Sequence, residues 1–302
     1  MKRILLSAIA LLAATSAQAA DCKQTLLASL PMTIDAQGGV AIAVTLDGQP
    51  GSFTVDPTLI RSRIAKSFAA KLGLTRLPGN PQLEFFNLWQ GQPNYDVSGF
   101  VRATSLLAGT VNLVKPLLQE VPDDWLASDT GGAIGSDVLD KVDADFDIGH
   151  ARLNLFSKNH CTDQVIYWTK DPAAMIPFEK DNEGRPTIWV LLDGKRVRAA
   201  LDTSNARSYS TFDMAHRVFG MDTATPGLVK NPNDNTYLAK FNTISLEGVT
   251  INHPEVSLWD TGYGDISGPE AQLSIGMSVL SKLHIYFDQN DGAIFITAAG
   301  AY

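Results

Sequence analysis

The chain has 302 residues, a net charge of -8 and 45% hydrophobic residues, which is long and apolar enough for two domains. So acidic a balance excludes nucleic acid as a partner, because phosphate binding needs a basic face. No apolar run is long enough for a membrane span, and His150, His160, His216, His253 and His284 are scattered without a helical metal pair, so neither metal nor other cofactor is expected.

Met1 to Ala19 carries Lys2 and Arg3, an apolar run from Ile4 to Ala14 and Ala17-Gln18-Ala19 at its end, the layout of a cleaved secretory signal. Residues 1–19 are expected to be removed and the protein to be periplasmic or secreted. Cys22 follows Asp21, where a lipid-anchored cysteine would want a small residue. The only other cysteine is Cys161, and in an oxidising compartment the two predict a disulfide that clamps the entry of the first half to its exit; two free thiols are the alternative.

In chain order, LLASLPMTI reads as a strand. Gly39 to Leu74 reads as an alternating strand, a tight turn at Asp47-Gly48, a second strand ending at Asp56, and a helix over Ser62 to Leu72 stopped by Gly73. From Leu77 to Phe100, Phe85, Phe86, Trp89 and Tyr95 are interleaved with Pro and Gly, which fits a hairpin projecting aromatics over a cleft and fits a solvent loop equally. Short strands are expected at Ala103 to Leu107 and Thr110 to Leu118, then the block AIGSDVLDKVDADFDIGHARLNL from Ala133 to Leu155. After a break at Asp171-Pro172 come strands at Ile188 to Leu192 and Val197 to Asp202, a helix over Thr211 to Val218, a polar loop at Asn231 to Asn235, strands near Ile244 and Val256, and the block SIGMSVLSKLHIYFDQNDGAIFI. Many short strands and few helices indicate an all-β fold.

The halves repeat. Asp47 and Asp193, Asp56 and Asp202, Arg61 and Arg207, and Ser62 and Ser208 all lie 146 positions apart. Gly135 and Gly276, Leu139 and Leu280, and Asp147 and Asp288 lie 141 apart. Two blocks recurring in one order mark an internal duplication, giving lobes at 20–165 and 166–302 with a cleft between them. An aspartate from each half, brought side by side across the pseudo-twofold axis, cannot ionise freely beside its counterpart, so the two share a proton. One can then take a proton from an intervening water while the other donates to a carbonyl oxygen, the division of labour that amide hydrolysis needs.

Both halves resemble the lobes of the retropepsin and pepsin-like aspartic peptidases, in which a strand ends in an apolar pair followed by Asp-Thr-Gly and a later apolar-apolar-Gly segment threads behind it. Thr54-Val55-Asp56-Pro57-Thr58 and Ala200-Leu201-Asp202-Thr203-Ser204 take the first role; Ala133-Ile134-Gly135 and Leu273-Ser274-Ile275-Gly276 take the second. The resemblance implies Asp56 and Asp202 as the catalytic pair, Thr58, Thr203 and Ser204 as its support, and Gly135 and Gly276 in the segments behind it. Two departures stand out. Thr58 and Ser204 replace the glycine whose N–H would approach the carboxylate, and Pro57 replaces the threonine whose hydroxyl would brace the opposite lobe, predicting a looser first arm.

Asp-Thr-Gly strings at Asp129 to Gly131 and Asp260 to Gly262 sit 6 and 16 residues before Gly135 and Gly276, so they are not equivalent and read as loop turns. Arg61 and Arg207 read as structural. No G-x-S-x-G elbow or phosphate-binding glycine loop is present. The expected function is an exported, monomeric aspartic-peptidase-like hydrolase acting on a peptide or protein. The alternative is an inactive relative that binds peptide or an envelope component in the same cleft.

Overall fold

The computed structural model describes residues 24–78, 99–161, 165–182, 184–232, 235–259 and 272–300. The expected signal segment, Cys22, most of the aromatic stretch from Leu77 to Phe100 and the Asp260 to Gly262 string lie outside them. No helix among the described residues is long and apolar enough to cross a membrane.

Each half is founded on one hairpin. Val40–Leu46 pairs with Gln49–Val55 and Pro186–Leu192 with Lys195–Leu201. The turns need left-handed backbone at both central positions, and Asp-Gly supplies it: φ is 47° and 82° at Asp47 and Gly48, 46° and 74° at Asp193 and Gly194. The aspartate has a second use, because Asp47 Oδ1 accepts from the N–H groups of Thr104 and Ser105, and Asp193 Oδ1 from those of Asn242 and Thr243. Period-two patterning then selects the faces. Ile188, Val190 and Leu192 are buried, each worth about 1.5–3 kcal/mol, while Trp189 and Leu191 face out and the Arg196 guanidinium covers the Trp189 ring at 4.1 Å.

Behind each hairpin runs the repeated second block. Gly132–Ile134 lies parallel to Gln49–Val55 and antiparallel to Arg63–Ala65; Leu273–Ile275 lies parallel to Lys195–Leu201 and antiparallel to Ser208–Thr211. This arrangement corrects the first helix. It was expected over Ser62 to Leu72 but occupies Lys66–Lys71, because Arg63, Ile64 and Ala65 are taken into the sheet between Gly132–Ile134 and Leu117–Val121. Gly73 ends it as expected, at φ 66°. The second helix, Phe212–Phe219, is capped by Thr211 Oγ1, which accepts from the Met214 N–H, and stops at left-handed Gly220. A third pair of matching elements has its own offset: Ser105–Ala108 with Val111–Val114 corresponds to Thr243–Leu246 with Val249–Asn252, 138 positions on.

The halves are joined by strands. Asp143–Asp147 pairs antiparallel with Leu283–Asp288, and Asp145 stands opposite Tyr286, its own counterpart 141 residues on. The pseudo-twofold axis therefore passes between these two residues. One face of the seam is apolar, with Phe146 and Phe287 in edge contact at 5.8 Å. The other is polar and nonetheless buried. There Asp145 takes His284 Nε2 at 2.6 Å, Asn154 Nδ2 at 3.0 Å and the Tyr167 hydroxyl. Trp168 closes the layer by stacking on His284 at 4.4 Å and donating to Thr297 Oγ1. His284 is thus a packing residue of the seam.

Candidate active site

Asp56 and Asp202 each sit one residue past the inner strand of their hairpin. Each N–H bonds to the strand threaded behind it, Asp56 to Ile134 O and Asp202 to Ile275 O, both at 2.9 Å. The next residue of that strand is Gly135 or Gly276, and neither needs unusual torsions; the requirement is space. A Cβ at Gly135 would lie 2.4 Å from Leu59 O, and at Gly276 2.2 Å from Arg207 O. The glycine N–H groups donate to Ser62 Oγ and Ser208 Oγ, both at 3.0 Å. Ser62 in turn donates to Asp137. Hence the repeated Arg-Ser dipeptides are explained by their serines and by the Arg207 carbonyl, while both arginine side chains are exposed.

The carboxylates are held by the residues that follow them. Asp56 Oδ1 accepts from Thr58 N at 2.8 Å and Thr58 Oγ1 at 2.6 Å. Asp202 Oδ1 accepts from Ser204 N at 2.9 Å and Ser204 Oγ at 2.7 Å; its Oδ2 accepts from Asn205 Nδ2 at 2.8 Å and Ser274 Oγ at 3.2 Å. The loss of glycine therefore does not cost the backbone donor, contrary to the sequence expectation. The N–H still reaches the carboxylate, and a hydroxyl is added beside it. Asn205 and Ser274 were not singled out from sequence, since no counterpart in the first half repeats them.

The bracing is one-sided, as the sequence predicts. Thr203 Oγ1 donates across the lobes to Val55 O at 2.5 Å. Pro57, at the matching position, has neither hydroxyl nor N–H. Other bonds support the crossing: Val40 N to Thr203 O at 2.7 Å and Ala206 N to Gln37 O at 3.2 Å. Gly39 permits it, because a Cβ there would lie 2.4 Å from Ser204 O.

Burial, then the charge of Asp202, pushes the Asp56 carboxyl up to about 7 against the opposing Thr58 hydrogen bonds. The Ser204 hydroxyl also reaches Asp56, so one hydroxyl touches both carboxyl groups. Asp56 thus holds a proton through the acid range, and four donors converge on the Asp202 carboxyl group. Tyr209 lies beside them; burial first, then Asp202, pushes its phenol above the ordinary value.

Asp129 is elsewhere in role: its Oδ1 accepts from Ala36 N at 2.9 Å, which ties two loops together. One cluster among the described residues could hold a cation, namely Asp143, His160 and Asp288, whose ligating atoms lie within 4.8 Å of one another beneath the seam. Its groups serve one another in part, and Asp288 Oδ2 is buried without a hydrogen-bond partner among the described residues. His160 Nε2 meets Asp143 Oδ2 at 2.7 Å, and the N–H groups of Gln289, Asn290 and Asp291 fill acceptor positions on the two aspartates.

No protein-family model matches the chain, and none of the curated proteins matches it. Among solved structures it is similar to the aspartic proteinase from Irpex lacteus, with a TM-score of 0.52 and 10% sequence identity, over 90% of this chain and 97% of that one. The fold is that of the pepsin-like aspartic proteinases: all-β, two lobes related by internal duplication, a cleft between them.

Proposed function

We propose that the protein is an aspartic endopeptidase that hydrolyses peptide bonds with a water held between Asp56 and Asp202. The observation that carries the reading is the mutual electrostatics of the pair: Asp56, buried and facing a second carboxylate, keeps its proton up to about pH 7. In this reading Asp202 removes a proton from the water as its oxygen attacks the carbonyl carbon, and Asp56 gives its proton to the carbonyl oxygen. Collapse of the resulting diol passes the proton now on Asp202 to the leaving nitrogen and returns a diol hydroxyl proton to Asp56 as the C–N bond breaks, which restores the pair to its starting state. No metal or covalent intermediate enters these steps. The experiment is digestion of an unfolded protein at mildly acid pH with and without a statine-type inhibitor. Cleavage blocked by the inhibitor and lost in Asp202→Asn supports the reading; unchanged cleavage by a folded Asp202→Asn protein removes it.

A second reading is favoured by one observation, the one-sided brace at Thr203 with Pro57 opposite. If that arm is too loose to position water, the cleft binds peptide without cutting it. Peptide binding that survives loss of both aspartates, with no turnover by the wild type, would select it.

The proposed setting is outside the cytoplasm, with lobes at 20–165 and 166–302, residues 1–19 removed and Cys22 bonded to Cys161. N-terminal sequencing of exported material and a mass shift on reduction test it.

A further inference from the structure

Arg63 and Tyr209 are equivalent residues, 146 apart. Each lies on the strand that follows its aspartate and stands opposite a residue of the strand threaded behind it: Arg63 opposite Ala133, Tyr209 opposite Ser274. Side chains of directly opposed residues share a face of the sheet. In the second lobe that face looks at the carboxylates, because Ser274 Oγ donates to Asp202 and the Tyr209 hydroxyl reaches Ser274 and Asp202. In the first lobe the same position carries a guanidinium, and Ala133 beside it has a methyl group where the second lobe has the Ser274 hydroxyl.

Arg63 is half-buried, with Cζ 6.0 Å from the ring of Trp125 and its charge acting on Asp56. Its Nε is shielded from water and has no hydrogen-bond partner, and it forms no ion pair among the described residues. Asp56 does not neutralise it while protonated. A guanidinium whose Nε is withdrawn from water, with no counter-ion among the described residues, is costly to the fold, and a group that answers it offsets that cost. The group that answers it best is a carboxylate, whose two oxygens match the planar fork.

We propose that Arg63 determines specificity in the cleft by binding a carboxylate of the peptide close to the bond at the aspartate pair. The substrate class is then peptides carrying Asp or Glu at a position on the first-lobe side of the cleft, or ending there in a free C-terminus. The inference rests on the cleft being a peptide site. Tyr209, neutral at the equivalent place, leaves the second-lobe side without this demand, so recognition is polar along the chain direction.

The test uses peptide pairs that differ only in Glu against Gln at each position flanking the cleaved bond, each with a free and an amidated C-terminus. Turnover is read with the wild type and binding, by fluorescence anisotropy, with the Asp202→Asn protein. The expected result is a preference for one carboxylate-bearing peptide of about ten- to a hundredfold in kcat/KM and in Kd. That ratio should fall to about one in Arg63→Met and be partly kept in Arg63→Lys; Arg63→Gln serves if the methionine variant does not fold. If the gain follows the free terminus instead of the Glu side chain, the carboxylate is the end of the peptide. Equal handling of all pairs, a preference that survives loss of Arg63, or no binding to any peptide overturns the proposal. If the wild type cleaves nothing while the acidic peptides still bind in an Arg63-dependent manner, the hydrolase reading fails and the carboxylate site stands.

Discussion

Replacing Asp56 by asparagine should stabilise the protein at neutral pH and above, and by an amount the structure sets. In the folded protein the Asp56 carboxyl is raised from 3.8 to about 7 by burial and by Asp202. It therefore binds its proton more tightly folded than unfolded, so its contribution to stability is complete below about pH 4 and is withdrawn as the pH rises through about 7. Each tenfold change in proton affinity is about 1.4 kcal/mol, which makes the amount withdrawn by about pH 8 on the order of 4 kcal/mol. Asparagine is uncharged at every pH and keeps an oxygen to accept from Thr58 N and Thr58 Oγ1. Urea unfolding of Asp56→Asn and wild type should thus give nearly equal stabilities at about pH 3.5 and a gap of about 4 kcal/mol, in favour of the variant, at about pH 8. A gap that does not change between the two pH values, or a variant less stable at the higher one, would refute the picture of a desolvated acid facing a second carboxylate.

In the proposed hydrolysis the same proton would set the alkaline limb: kcat/KM should fall as pH rises through about 7, and a pH–rate profile still climbing above about pH 8 contradicts the assignment of Asp56 as the acid. Thr203→Val deletes the hydroxyl that crosses to Val55 O; it should cost about 1–2 kcal/mol in denaturant unfolding and lower kcat more than it raises KM, because the dyad loses the hydroxyl brace between the lobes. Gly276→Ala puts a methyl 2.2 Å from the Arg207 carbonyl, and since both parties are backbone the strand behind Asp202 must move. A loss of roughly 3 kcal/mol or more is expected, against almost none for Gly194→Ala on steric grounds alone, where nothing lies within 4 Å and only the left-handed backbone, worth about 1 kcal/mol, resists.

What could be read in the chain was whatever the duplication repeated in one register. Asp47-Gly48 and Asp193-Gly194 share both turn torsions and hydrogen-bond duties, so position and role survived together and were visible. The hairpins at Ser105–Val114 and Thr243–Asn252 are equally equivalent in space. The sequence shows them only as separate short strands, because the offset changes from 146 to 138 across the stretch after the first helix and their residues agree in period, not in identity. The early end of the first helix was illegible for another reason. Arg63-Ile64-Ala65 is compatible with either state, and its pairing partners lie more than fifty residues downstream. Within the site, Asp56 and Asp202 were visible as a repeated pair, whereas Asn205, Ser274, Arg63 and Tyr209 matter because the lobes differ there. The Asp145–His284–Tyr167 network was hidden because its members come from three separate strands and loops, and polar residues alternating along Asp143–Asp147 ordinarily signal a wet face.

The seam at Asp145 and Tyr286 has an ancestral implication. A half-length forerunner with one copy of this strand could have completed its sheet only by meeting another molecule of itself, as a symmetric dimer in which the residue on the axis faced its own duplicate. Rebuilt from today's first half, that dimer would set Asp145 against Asp145, two acids in direct cross-strand opposition out of reach of water. Divergence at this paired position thus weighs against self-pairing of that half, and its tyrosine-bearing sibling closes the sheet without opposing like charges.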